Sequence, residues 1–341
     1  MVSRPTITDL AKKAGVSVAT VDRVLNRRLP VSSDTALRVV EAAEAIGYHA
    51  AGLLKRRINE TPQRRLAFLL QKPDAFYTLF GKELVAATKS AIAIEGKPSL
   101  EFVEDLVPAK IAERLRQVAA KADAVAVVAM DHPQVNEAVD EIVAAGKPVF
   151  TLLSNITTPS VTGHLGLDSR RNGRIAGWTI SRLAHKPGKI GILLGSHRYL
   201  NQELSEISFR TYMREHAPAF QLLEPIINLD DERIAYEAVV SMVNANPDLV
   251  AIYVSGGGQE GLIRALRERQ GGPKIIAICN ELTSAIRAAL YDGVVDLSLG
   301  TPIAAIAKKL IELMARTTTG AEIPHLPPVL LPPDIYMSEN I

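Results

Sequence analysis

The sequence predicts an N-terminal all-α helix-turn-helix headpiece and, behind it, an α/β body of two doubly wound lobes. Three observations predict it. Residues 6–26, TITDLAKKAGVSVATVDRVLN, place apolar residues at helical spacing on both sides of a glycine corner. From Arg65 onward, short apolar runs alternate with amphipathic stretches, the pattern of parallel strands covered by helices on both faces. Charge divides at the same place: residues 1–65 hold 12 Lys/Arg against 6 Asp/Glu and the remainder 27 against 31, although the whole chain is only +2. A basic head on a mildly acidic body is the footprint of a phosphate-facing module joined to something else.

A chain of 341 residues has room for two or three domains. No apolar run approaches a membrane span, and MVSRPTITDL lacks the apolar stretch of a secretory signal. A cytoplasmic protein with no membrane partner is therefore expected. One cysteine, Cys279, excludes an internal disulfide framework and a cysteine-cluster metal site.

In chain order, Thr6 caps the first head helix with Asp9 as its capping-box partner, and Gly15 ends it. Ile7, Leu10, Ala11 and Ala14 form its apolar face. Ser17 caps the second helix, whose Val21, Val24 and Leu25 point back at the first, leaving Val18, Ala19, Asp22 and Arg23 outward. Residues 26–30 form a basic loop. Ser32 or Ser33 caps a third helix that adds Ala36, Val39, Val40, Ala43 and Ile46 to a small core. A helical hairpin inside a larger helical domain has the same apolar spacing. The N-terminal position, the AGVS corner and the basic surround favour a DNA reader.

In the body, strands are expected at 66–70, 100–103, 124–129 and 148–153, with helices at 79–95, 109–120 and 135–145. A Thr/Ser/Pro-rich seam, 154–162, precedes a second run. Its strands fall near 190–194, 222–227, 249–254, 275–278 and 294–299, and its helices near 169–184, 204–215, 233–244, 261–269, 283–290 and 303–315.

Residues 6–26, followed by VSSDTALRVVEAAEAIGY, closely resemble the headpiece of the LacI/GalR family of bacterial transcriptional regulators. Asp22 is the one departure, standing where the family usually has Ser. The resemblance implies a type I periplasmic-binding-protein-like fold behind the head. It divides the chain into a head at 1–49, a hinge or linker at 50–64 and an effector-binding and dimerisation body at 65–341. Lobe 1 is expected at about 65–155 and 293–318, lobe 2 at about 162–290 and 324–341, with crossings near 154–162, 291–293 and 317–325.

For DNA, the resemblance implies phosphate contacts by Thr6, Ser17, Thr20, Asn26, Ser32 and Thr35. It implies base-edge contacts by Val18, Ala19 and Arg23, with Arg23 suited to guanine. Asp22 would lie near the phosphates and weaken or redirect binding. In the family, residues 50–60 would form a hinge helix on operator DNA and wedge a leucine into the minor groove. Here the usual wedge position is Arg57 and the usual proline is Ala50, while Leu53 and Leu54 lie about one turn earlier. Leu54 is therefore expected to be the wedge, and Arg57 to contact phosphate or reach into the groove. A flexible basic linker is the alternative, because so short a segment holds no helix alone.

Ligands of open α/β sheets sit beyond the C-terminal strand ends. There the sequence offers the aromatic pair Phe76-Tyr77, suited to the apolar face of a sugar, and Asp131, either a hydroxyl acceptor or a helix cap. The resemblance adds Arg171, with Arg170 as the alternative, and Glu203, Ser255 and Asn280, the last three in place of the usual Arg, Asn and Asp. Two guanidiniums would favour an anionic or polyhydroxylated ligand. Residues 256–261, GGGQEG, match G-x-G-x-x-G between a strand and a helix. That is either a dinucleotide site or a permissive turn whose helix N-terminus holds a phosphate or carboxylate. No metal-ligand spacing or nucleophile elbow occurs, and Cys279 beside Asn280 reads as a buried thiol.

The expected protein is thus not an enzyme and needs no cofactor. It is a transcriptional regulator of the repressor type that binds double-stranded operator DNA as a homodimer or tetramer, under control of a sugar, polyol or sugar derivative. The rival readings are an NAD-dependent enzyme on the α/β lobes and a cytoplasmic sugar-binding protein without DNA binding.

Overall fold

The computed structural model describes residues 5–26, 31, 33–52, 54, 62–319 and 325–341. In the head, α1 (Ile7–Ala14), α2 (Val18–Asn26) and α3 (Ser33–Ala45) enclose a core that includes Leu10, Val21, Val39, Ala43 and Tyr48. Both halves of the capping box form, Asp9 N–H donating to Thr6 Oγ1 and Thr6 N–H to Asp9 Oδ2. Gly15 turns the chain at φ 65°, in the left-handed region that a Cβ disfavours.

One expectation changes here. Leu54 is 1% exposed and belongs to the head core, so it is not presented as a wedge. Burying a leucine removes it from water at a gain of roughly 1.5–3 kcal/mol, which groove insertion would have to replace. Ser32, Leu53, Arg57 and the loop at 27–30 lie outside the described residues.

The first lobe is a six-stranded parallel sheet. It comprises β1 (Gln63–Gln71), β2 (Glu95–Val103), β3 (Ala124–Val127), β4 (Val149–Leu152), β5 (Gly163–Leu167) and, late in the chain, β12 (Val329–Leu331), in the order β12-β5-β4-β3-β1-β2. Strand residues alternate between two cores because both faces are covered. Ala67 and Leu69 pack with α5 (Pro108–Ala120) and α6 (Pro133–Ala144). Leu66, Phe68 and Leu70 pack with α4 (Ala75–Lys89) and α12 (Ile303–Thr319).

In the second lobe, β6 (Lys189–Leu194), β7 (Gln221–Leu222), β9 (Leu249–Val254), β10 (Ile276–Asn280), β11 (Leu297–Gly300) and β13 (Asp334–Tyr336) run in the order β13-β11-β10-β9-β6-β7. The short β8 (Ile226–Ile227) also pairs with β6. Only β13 is antiparallel. Helices α7 (Ser169–Leu183) and α8 (Leu200–His216) cover one face; α9 (Glu232–Ala245), α10 (Gln259–Glu268) and α11 (Ser284–Tyr291) cover the other.

The lobes divide elsewhere than expected. The chain changes sheets at Asp168, at Thr301-Pro302 and at Pro332-Pro333, so lobe 1 takes 62–167, 303–319 and 325–331, and lobe 2 takes 168–300 and 334–341. The strand GHLGL is short, with glycine or histidine at three of its five positions, yet it pairs Phe150 with Gly163 in the first sheet. Residues 297–300 pair with β10, Cys279 opposite Ser298, and so stay in the second. Among the described residues, no helix is long and apolar enough to cross a membrane.

Candidate functional site

On the head, α2 carries the outward face. Val18, Ala19, Arg23 and Asn26 are exposed. Ser17 Oγ accepts the Thr20 N–H at 3.1 Å and meets the Thr20 hydroxyl at 2.9 Å, so both hydroxyls sit at the N-terminus of α2. Thr6 offers its hydroxyl to Asp9 Oδ2 at 2.7 Å, and Thr35 lies half-buried on α3. Asp22 is not idle: its Oδ1 accepts from Asn26 Nδ2 at 2.7 Å, tying a candidate phosphate contact to a carboxylate.

Between the C-terminal ends of the two sheets lies a cavity of about 480 Å³, of the size that holds a small ligand. Phe76, Tyr77, Ser255 and Asn280 line it, as expected from the sequence. The aromatic pair stands not in a loop but on the first turn of α4. Asp74 caps that helix by accepting the Tyr77 N–H at 2.7 Å, starting it four residues before the expected Leu79. The two rings meet edge to face, 5.1 Å between centroids.

Three expected residues are not brought to the cavity wall. Arg171 is exposed and pairs with its own helix cap, Asp168, at 3.0 Å; Arg170 is exposed too, and Ser169 and Asn172 face the cavity instead. Asp131 spends Oδ1 on Asn136 Nδ2 and on the N–H and hydroxyl of Thr157, while His132 caps α6. Glu203 sits in the first turn of α8, where Asn201, Gln202 and Ser205 reach the cavity.

The residue that organises the site is Asp230, which went unread. Its Oδ1 accepts the Gly257 N–H at 2.6 Å. A Cβ at Gly195 would collide with its carboxylate, one at Gly256 would lie 2.8 Å from Oδ1, and one at Gly257 would lie 2.9 Å from its Cβ. The triple glycine is therefore room for a carboxylate, not a phosphate cradle. A dinucleotide would meet an amide already engaged by an anion, with Asp231 and Glu260 also on the cavity wall. The strand-end rule points here, since Asp230 lies three residues beyond the strand expected at 222–227, which the structure breaks into two strands of two residues.

Four non-glycine residues have positive φ among the described residues: Leu153 at 62°, Leu229 at 54°, Asp230 at 54° and Glu281 at 60°. All four line the cavity. Each such residue costs on the order of 1–3 kcal/mol and persists only where its surroundings hold it.

Burial raises the Asp230 carboxyl above its ordinary range. Burial also pushes Glu281 up to about 7, even though Thr301 donates its N–H at 2.9 Å and its hydroxyl at 2.6 Å to that carboxylate. Cys279 is a buried free thiol whose pKa burial raises, as suits an inert core residue.

Contacts between the lobes flank the cavity. Gln71 Nε2 donates to the Tyr199 hydroxyl at 2.7 Å, and Asp131 N–H donates to the Arg198 carbonyl at 3.0 Å. Tyr199 starts a second-lobe helix yet is buried in a first-lobe core.

A helix-turn-helix head in front of two doubly wound lobes that close on a polar cavity defines a DNA-binding regulator with a periplasmic-binding-protein body. Sequence comparison agrees at both ends. The family of bacterial regulatory proteins named lacI matches residues 6–50, and the periplasmic binding protein domain family matches residues 107–322. The chain carries a lacI-family helix-turn-helix domain at its N-terminus and belongs, over most of its length, to the periplasmic binding protein domain family.

Among its relatives is the HTH-type transcriptional regulator GalS of Salmonella typhimurium, 25% identical over 322 residues that cover 92% of this chain and 90% of that one. The regulator GalR of Lacticaseibacillus casei is 44% identical over 66 residues, 19% of each chain. Solved structures share the body's fold. An ABC-transporter solute-binding protein of Agrobacterium vitis bound with α-D-tagatopyranose superposes with TM-score 0.74 at 20% identity, covering 82% of this chain and 96% of that one. One of Bacillus halodurans with bound myo-inositol gives 0.72 at 15% identity, covering 82% and 96%.

Proposed function

We propose that this regulator is a cytoplasmic repressor that binds its operator as a homodimer and is released or engaged by a sugar or polyol held between its lobes. In this reading Val18, Ala19 and Arg23 meet base edges. Thr6, Ser17, Thr20, Asn26, Ser32 and Thr35 meet phosphates, Arg57 adds a phosphate or minor-groove contact, and Asp22 tempers the phosphate contacts through Asn26. Phe76 and Tyr77 give the ligand an apolar face, while Asn172, Asn201, Ser255, Asn280 and Asp230 meet its hydroxyls.

One observation carries the effector part. The side-chain oxygens of Asn172, Asn201 and Asn280 are buried and accept no hydrogen bond. Buried polar atoms without partners are rare, and three around one cavity await donors from a ligand. Many neighbouring donors are already committed: Ser205 Oγ to Ser169 O, Ser255 Oγ to Gln202 O, Thr301 Oγ1 to Glu281 and Asn280 Nδ2 to Val254 O. A polyhydroxylated ligand is the complement of such a wall.

The reading is tested with the whole chain. Its preferred DNA is selected from random sequence, and binding is followed by fluorescence anisotropy with and without sugars and polyols. Affinity should fall about 10³–10⁵-fold between roughly 50 and 200 mM salt if some 6–10 phosphates are engaged. Arg23→Ala should cost about 1–3 kcal/mol per half-site and relax one base pair. A flat salt response with no sequence enrichment would remove the DNA reading; an operator affinity indifferent to every polyol would remove the effector reading.

A further inference from the structure

The cavity's charge goes beyond what a neutral sugar requires. Asp74, Asp230, Asp231, Glu232, Glu260 and Glu281 stand on its wall against a single cation, the exposed Lys72. No ion pair involves any of these carboxylates among the described residues. Where hydrogen bonds serve them, they come from neutral donors: Tyr77 N–H to Asp74, Ile234 N–H to Asp231, Gly257 N–H to Asp230 and Thr301 to Glu281. The wall also contains no arginine, so the forked contact that would hold a phosphate or carboxylate is missing.

A second observation is independent of charge. Asn172 is only 6% exposed, and its unpartnered Oδ1 belongs to the same wall, as do those of Asn201 and Asn280. The buried asparagine oxygens thus lack donors, and the carboxylates face Lys72 alone as positive charge. An N–H₃⁺ group supplies both, with three donors and no acceptor. Asp230 is the carboxylate placed to receive it. Three glycines on two loops leave it space, and an ionised carboxylate has about four acceptor sites, of which the Gly257 N–H takes one and the Gln202 side chain another.

Resting on the sugar-or-polyol reading above, we propose that the ligand is a polyhydroxylated molecule carrying a protonated amine, an amino sugar or amino polyol, with the amine against Asp230. The same wall rejects sugar acids and sugar phosphates. Burial raises both the Asp230 and the Glu281 carboxyl, Asp230 in spite of the opposing pull of the Gly257 amide, Gln202 and Lys72.

The test uses isothermal titration of the full chain with matched sets on one skeleton. One set is glucose, glucosamine, N-acetylglucosamine, gluconate and glucose 6-phosphate, with parallel sets on galactose and mannose and the pair sorbitol and 1-amino-1-deoxysorbitol. Within a skeleton that binds, the amine should be about tenfold tighter than its parent, because a charge-assisted hydrogen bond replaces a neutral one. N-acetylation should erase that gain, and the acid and phosphate should bind at least about tenfold more weakly than the parent.

Asp230→Asn should bring amine and parent to equal affinity; if that variant does not fold, the wild-type series decides alone. An anionic member binding tightest, or an amine no tighter than its parent, overturns the proposal and leaves the sugar-or-polyol reading intact. Binding by no member of any set overturns both.

Discussion

The first lobe meets the cavity with an aromatic pair on a helix turn, one lysine and one carboxylate. The second meets it with all three unpartnered asparagine oxygens and five of the six carboxylates. The sheets behind these walls are the same doubly wound design, with strands buried on both faces. The difference therefore comes from the short segments between strand ends and helix caps. In lobe 1, Asp74 starts α4 almost at once. In lobe 2, Leu229, Asp230 and Glu281 hold left-handed backbone to turn polar groups inward. A ligand would find its apolar surface on one side and its polar contacts on the other, and binding both would favour the closed cleft. Such differential affinity for two conformations is what lets a ligand alter DNA binding.

Packing offers the strongest way to break this comparison. In lobe 2, α7 and α8 approach backbone to backbone at Gly173: a Cβ there would collide with the Ser205 carbonyl and lie 2.6 Å from the Phe209 amide nitrogen. In lobe 1, a Cβ at Gly81 would meet only the end of the Leu100 side chain, at 2.6 Å from Cδ2. Gly173→Ala should cost about 3 kcal/mol or more, because neither helix backbone can move alone. Gly81→Ala should stay within about 1 kcal/mol, since Leu100 can turn and alanine favours the helix. Urea unfolding of both variants measures this. Equal costs would mean that the second lobe is no more tightly constrained than the first.

The lobes should also answer pH in opposite directions. His164, on β5 of lobe 1, is buried and holds Thr151 Oγ1 at 2.9 Å, and burial lowers its pKa from 6.5 to about 4. A folded value below the unfolded one means that its stabilising contribution is complete above pH 6.5 and is lost as pH falls toward 4. The full span is on the order of 3 kcal/mol. Glu281 in lobe 2 is raised from 4.5 to about 7, so its contribution is complete below pH 4.5 and is lost as pH rises through 7. Thermal melts across pH 4–8 should show His164→Gln flattening the acid limb. Glu281→Gln should remove the loss of stability between pH 4.5 and 7 and stabilise the ligand-free chain at pH 8. A Glu281→Gln variant that is less stable than wild type at pH 8 would place a net favourable ionised carboxylate in the empty cleft.

How far the sequence could be read follows the same division. The head was legible because its signals are local: Thr6 with Asp9, Gly15 and the spacing of Leu10, Ala14, Val21 and Val24 all act within a few residues. The alternation of strand and helix was legible because buried strands are continuously apolar. What escaped was decided at a distance or by a single position. GHLGL carries too few apolar residues to announce a strand, although β4 accepts it. Arg171 and Asn172 are neighbours, but one residue turns a helix by about 100°, which separates solvent from cavity. Asp230 follows a strand that was expected, but its role rests on contacts with glycines 27 and 35 residues away. Leu54 has the residue type of a wedge, and only the folded head shows it buried.

The finest test of the division exchanges one residue from each wall. Asn172→Leu keeps the branched four-atom shape of the side chain, adds some volume and removes the orphan acceptor. Without ligand this should be neutral or slightly stabilising, because a buried polar atom lacking a partner is itself a cost. With a bound sugar or amino sugar it should weaken affinity by about 10–100-fold, since a ligand hydroxyl would then be buried unpaired. Tyr77→Leu, on the opposite wall, keeps an apolar surface and loses the flat ring that meets Phe76. Its cost should be smaller, about three- to tenfold, and shared evenly among sugars of different hydroxyl stereochemistry. The discriminating measurement is therefore a ratio: the preference between two epimers should shrink in Asn172→Leu and hold in Tyr77→Leu. If instead the tyrosine variant loses the preference, selectivity resides in the first lobe, and the asparagine oxygens of the second merely line the space.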